Sequence, residues 1–79
     1  MLSACVLIRT RRGSYQQVIN SIRQIKGVKR IFSVLGRYDV VVDLEASDFD
    51  EMGPSVIRIG NIFGVVFTET LIELKPGGR

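Results

Sequence analysis

The sequence contains no histidine, no tryptophan and a single cysteine, Cys5. Without histidine there is no ordinary imidazole base, no Ser-His or Cys-His nucleophile pair and no imidazole ligand for a metal. One cysteine closes no intramolecular disulfide, and beside scattered carboxylates it makes no zinc-binding spacing. Cys5 lies in an apolar stretch, where a buried structural thiol is the expected role. No glycine-rich phosphate loop occurs. No apolar run approaches the roughly 20 residues of a membrane-spanning helix, and Leu2–Ile8 lacks the basic residues that precede the apolar part of an export signal. A cytoplasmic protein that is not an enzyme, needs no metal or cofactor and does not engage a membrane is expected.

What is present is an apolar chain for its size, with 46% hydrophobic residues among 79. One domain over residues 1–75, followed by a flexible tail at 76–79, is expected. A chain this short buries only roughly 60% of its unfolded surface. With neither disulfide nor metal available, association with copies of itself is the remaining source of burial. Charge is divided along the chain. Arg9, Arg11, Arg12, Arg23, Lys26, Lys29, Arg30 and Arg37 precede residue 39, with no acid among them, whereas all eight acids follow from Asp39 onward. A basic half can mark a nucleic-acid surface. The expectation preferred here is that the two halves interleave in one sheet and neutralise each other.

The pattern predicts six elements. Leu2–Arg9 is an apolar run closed by the basic turn Thr10-Arg11-Arg12-Gly13, and reads as a strand. Ser14 and Gln17 fit a capping box, followed by Tyr15, Val18, Ile19, Ile22 and Ile25 at helical spacing and by Gly27 as a stop. Val28–Leu35 and Tyr38–Glu45 read as strands joined by a two-residue Gly36-Arg37 turn. Asp48 and Glu51 form a second capping box. They open a helix that carries Met52, Val56, Ile59 and Ile62, with Gly53-Pro54 separating a first turn or kinking it. Gly64 stops that helix, and Val65–Leu74 is a last strand. At an offset of 37 residues, Ile22, Ile25, Gly27 and Val28 fall on Ile59, Ile62, Gly64 and Val65. The order βαββαβ, repeated in this way, implies an α+β, ferredoxin-like fold: a four-stranded antiparallel sheet with two helices on one face.

The turn at Gly36-Arg37 sets a register that pairs Ser33 with Val40, Ile31 with Val42 and Val28 with Glu45. Ile31, Leu35, Tyr38, Val40, Val42 and Leu44 then lie under the helices. Phe32, Val34 and Val41 fall on the other face, where nothing in the chain covers them, and a symmetric dimer joined sheet to sheet is the simplest solution. RNA-recognition motifs share the element order. They carry stacking aromatics and basic residues on the third strand, whereas Tyr38–Glu45 is aliphatic and acidic. Direct nucleic-acid binding is therefore not expected.

The remaining polar constellation is Gly36-Arg37-Tyr38-Asp39 with Thr68-Glu69-Thr70. Each residue has an ordinary role in a turn or strand. Together they offer what a free amino acid requires: Asp39 for an α-ammonium, the hydroxyls of Thr68 and Thr70 for polar groups, and close backbone approach at Gly36.

Through Ile25-Lys26-Gly27-Val28, Gly36-Arg37-Tyr38-Asp39 with Val40-Val41-Val42, and Ile62-Phe63-Gly64-Val65 leading to Thr68-Glu69-Thr70, the sequence resembles the C-terminal effector (RAM) domain of the Lrp/AsnC feast/famine regulators. The resemblance covers about residues 2 to 74. It implies dimers packed through their sheets, dimers assembled into rings such as octamers or decamers, and an amino-acid effector bound between dimers at Gly36, Tyr38 and Asp39, with Thr68 and Thr70. Full-length members carry an N-terminal helix-turn-helix that this sequence does not show. The resemblance thus points to a stand-alone module of transcription control that meets DNA only by co-assembly with helix-turn-helix-bearing relatives. A purely structural oligomerisation domain and a small dimeric ferredoxin-like enzyme are the alternatives.

Overall fold

The structure, a computed structural model, describes residues 1–74; the tail expected at 76–79 lies outside the described residues. The elements follow in the order β1 (Leu2–Thr10), α1 (Tyr15–Ile22), β2 (Val28–Ser33), β3 (Val40–Ala46), α2 (Phe49–Gly60) and β4 (Val65–Ile72). The strands form one antiparallel sheet in the order β2-β3-β1-β4. This is the expected ferredoxin-like α+β arrangement.

Strict alternation makes the sheet two-faced. Ala4, Val6 and Ile8 of β1 and Val40, Val42, Leu44 and Ala46 of β3 are buried, together with Val18, Ile19 and Ile22 of α1 and Met52 and Ile59 of α2. Both helices therefore cover the same face. Each fully buried branched side chain stabilises by about 1.5–3 kcal/mol, so the two central strands and the two helices hold the fold jointly.

The internal repeat appears in the backbone hydrogen bonds. Ile25 N–H donates to Ile22 O and Val28 N–H to Ile25 O; at the same offset Ile62 N–H donates to Ile59 O and Val65 N–H to Ile62 O. Gly27 (φ +93°) and Gly64 (φ +102°) turn the chain back toward the sheet. Both positions also demand the missing side chain. A Cβ at Gly27 would stand 2.6 Å from Glu45 O, and one at Gly64 would stand 3.1 Å from atoms of both Ser14 and Val18.

The structure corrects the sequence at several element ends. Both helices finish a turn before their glycines, at Ile22 and Gly60. α2 runs through Pro54 as one helix. Ser14 makes no side-chain cap, because its φ −104°, ψ −3° is already helical and an N-cap side chain reaches back from extended backbone. Asp48, at φ −158°, ψ −178°, is extended and does cap. Val28 pairs with Leu44 instead of Glu45, because Glu45 N–H is taken by Gly27 O at 2.9 Å. The β2–β3 connection is not a two-residue turn. It spans residues 34–39, because β1 draws Asp39 aside: Asp39 N–H donates to Ile8 O at 2.8 Å, while Asp39 O accepts from Val34 N–H. Leu35 and Tyr38 consequently do not lie under the helices. Leu35 is fully exposed, and Tyr38 reaches toward β4.

Candidate functional site

The connection 34–39 is exposed yet firmly held. Besides the two backbone bonds of Asp39, its Oδ2 accepts from Thr10 N–H at 2.7 Å and from Thr10 Oγ1 at 3.3 Å. Arg9 Nε donates to Arg37 O at 3.3 Å. Tyr38 donates its hydroxyl to Glu69 Oε1 at 2.6 Å. That bond, together with partial desolvation and the Glu69 charge, holds the Tyr38 phenol above its usual pKa, against the opposing pull of Arg37 and Arg9. Thr10 carries no sequence signal for this role, since its partner is 29 positions away.

Beside this loop lies a concavity of about 550 Å³, bounded by Arg9–Gly13 of the β1–α1 turn, by Tyr15, and by Gly36, Arg37 and Asp39. Gly36 has φ +144° and leaves open space where a side chain would stand. Among the described residues Asp39 Oδ1 accepts no hydrogen bond, so one oxygen of the carboxylate remains available to a ligand. In the sequence Arg9, Arg11 and Arg12 read as a basic turn with its flank and as part of the basic half, not as the lining of a site. Their position next to Arg37 depends on β1 pairing with β3, which no local pattern reveals.

The candidate residues are only partly brought together. Gly36, Tyr38 and Asp39 share the loop. Thr68 and Thr70 pair with Ile8 and Val6 on the other side of β1, and share their helix-covered face. β1 thus separates them from Asp39. Among the described residues no His, Cys, Asp or Glu group is arranged to hold a metal, and no helix is long and apolar enough to cross a membrane.

The sheet's other face carries Phe32, Val41 and Leu7 in one cross-strand row, flanked by Phe67 and Leu71 of β4. Phe32, Phe67 and Leu71 are exposed. Val34 lies just past this row, lining a smaller depression with Tyr15, Ser33, Leu35 and Asp39. Cys5 is on the open face opposite Asp43 and Leu71. Burial and then the Asp43 charge raise its thiol pKa, which disfavours the reactive thiolate. The charged halves do meet in the sheet, with Lys29 near Glu45 and Arg30 near Asp43 at 3.8 and 3.7 Å. Arg30 also lies over the Phe32 ring.

Residues 3–76 match the family model described as the Lrp/AsnC ligand binding domain. The HTH-type transcriptional regulator FL11 of Pyrococcus abyssi is 31% identical over 72 residues, which is 91% of this chain and 48% of that protein. The chain spans about half the length of the curated relatives it matches. A Thermus thermophilus protein, TTHA0845, superposes with a TM-score of 0.89 at 34% identity over 95% of each chain. A transcriptional regulator of Neisseria meningitidis solved as its L-Met complex gives a TM-score of 0.83 at 19% identity, covering 94% of this chain and 50% of that one, which shows the fold alone.

Proposed function

The chain belongs to the Lrp/AsnC ligand-binding domain family, and from that premise we propose that it is a cytoplasmic, non-enzymatic module of transcription control that senses a free amino acid and self-associates. Its one domain covers residues 1–75, and any contact with DNA comes through helix-turn-helix-bearing relatives in a mixed assembly. The observation that carries the reading is the 34–39 loop. Its backbone is tied to β1, leaving Asp39 Oδ1 and the bare backbone of Gly36 beside the concavity. A site held in place before binding loses less entropy when the ligand arrives. Asp39 takes the α-ammonium, Gly36 allows close approach and Tyr38 braces the loop. Since β1 stands between Asp39 and the two threonines, Thr68 and Thr70 serve a ligand shared with a neighbouring molecule. The same fold, in the Neisseria meningitidis regulator, was solved with L-methionine.

Self-association proceeds through Phe32, Val34 and Val41, with Leu7 extending the row. Dimers formed there assemble further into rings of the octamer or decamer kind. The exposed apolar face alone would also suit a structural oligomerisation domain without a ligand. Native mass spectrometry with each of the twenty amino acids separates the two readings. The sensor requires stoichiometric binding of a few of them, weakened about tenfold in Asp39→Asn, which keeps an acceptor for Thr10 while removing the charge. Rings indifferent to all twenty would leave the structural reading, and a stable monomer would remove both.

A further inference from the structure

The concavity is more cationic than an amino-acid site needs to be. Arg9, Arg11, Arg12 and Arg37 line it with a single carboxylate, Asp39. The ion pairs among the described residues are Lys26–Glu51, Lys29–Glu45 and Arg30–Asp43, so none of these four arginines is matched by an acid. Arg9 and Arg11 are steadied by neutral groups. Arg9 donates to Arg37 O, and Arg11 lies 5.6 Å from the centre of the Phe63 ring. The guanidiniums of Arg12 and Arg37 have no hydrogen-bond, ion-pair or ring partner among the described residues. At the rim α1 begins with no side-chain cap and no acid in its first turn, so its positive end adds to the same field.

A free amino acid is a zwitterion. One guanidinium for the α-carboxylate and Asp39 for the ammonium would hold it and leave the other arginines unmatched. Like charges gathered in one concavity repel each other and favour whatever anion neutralises them. Arginine also binds carboxylates in a bidentate fork, which makes the match geometric as well as electrostatic.

Resting on the amino-acid reading above, we infer that the effector is an acidic amino acid of the aspartate and glutamate class, its side-chain carboxylate held by Arg12 and Arg37. Amide side chains offer no charge to neutralise the surplus, and lysine-like side chains add to it.

The test is isothermal titration calorimetry of the whole chain at low salt with L-aspartate, L-glutamate, L-asparagine, L-glutamine, L-lysine and inorganic phosphate. It is run on the native protein and on Arg12→Gln and Arg37→Gln. One acidic amino acid should bind at least about tenfold more tightly than its amide. The gap should shrink to about threefold or less in either variant, without a fall in melting temperature, since each variant relieves repulsion. Tighter binding of an amide, or of lysine, would overturn the acidic class and leave the amino-acid reading intact. So would an acid preference untouched by both variants, because the surplus arginines would then not be its cause. Binding of phosphate with none of these amino acids bound, or no binding at all, would overturn the acidic class, and the amino-acid reading falls with it only if the remaining amino acids of the twenty also fail to bind.

Discussion

The two halves of the chain repeat one design, a helix, a glycine and a returning strand, yet their helices begin in opposite ways. α2 satisfies its own start. Asp48 Oδ1 accepts from Glu51 N–H at 3.0 Å, Glu51 Oε1 accepts from Ser47 N–H at 2.7 Å, and Lys26 stands 3.1 Å from the same carboxylate. α1 has neither cap nor acid, and its approach is lined with arginines. Where a helix start supplies its own anion, it contributes stability. Where it supplies none, and cations collect beside it, the same backbone is left open to an anion from outside. The repeat thus pairs a half whose helix start closes on itself with a half whose helix start does not.

The largest effect that could break this comparison comes from the glycines that make the halves alike. Gly27→Ala must hold alanine at positive φ, at about 1–3 kcal/mol, and also move Glu45 O, which would stand 2.6 Å from the new Cβ. Gly64→Ala meets side-chain atoms of Ser14 and Val18 at 3.1 Å, which can give more easily. Urea denaturation should therefore show Gly27→Ala as the more destabilised of the two. Equal loss would mean that the backbone angle alone decides.

A middle-sized effect concerns the caps. Asp48→Ala should destabilise by about 1 kcal/mol, within the range for N-cap losses, whereas Ser14→Ala should change stability by less than about 0.5 kcal/mol. A loss at Ser14 to match Asp48 would show that α1 caps itself in solution, and the asymmetry would disappear.

The smallest effect is in acid. The backbone bond from Ser47 and then the pairing with Lys26 hold the Glu51 pKa below its ordinary value. A depressed carboxylate contributes stability above its unfolded pKa and loses it as pH falls through the lower, folded value. Amide protection factors at Ser47 and through the first turn of α2 should therefore fall below about pH 4, at a higher pH than those of α1. In Glu51→Gln that pH step should vanish. Simultaneous loosening of both helices would tie the acid response to the whole fold.

Much of the fold was legible because it is written in short-range signals. The alternation in β1 and β3, the apolar spacing of both helices and the offset repeat of Ile22, Ile25, Gly27 and Val28 each need only a short window of sequence. Even the pairing of Ser33 with Val40 and Ile31 with Val42 followed from the glycine between the strands. What failed was decided by a third party. Gly36-Arg37 looked like a tight turn because no local pattern shows that Ile8 and Thr10 claim Asp39. Ser14 looked like a cap because sequence does not report the φ and ψ that precede a helix. The candidate site suffered most. Asp39 was singled out as an ammonium partner, with no sign that one of its oxygens already serves Thr10. The arginines were seen as a charge imbalance that the sheet would cancel. The sheet does so for Lys29 and Arg30, and leaves Arg9, Arg11, Arg12 and Arg37 outside the cancellation.

The placement of β1 in the middle of the sheet also fixes the order in which the molecule can be completed. β1 is synthesised before the other strands, but one of its two neighbours is β4, so that Ala4 waits for Ile72. Pairings between such distant stretches of chain form slowly, because a long loop must close before any contact rewards it. Until then β1 has an open hydrogen-bonding edge, and such an edge is a template for the wrong strand as much as for the right one. A ribosome stalled before residue 72, or a cut just ahead of β4, would therefore leave more than a shorter protein. It would leave an adhesive one.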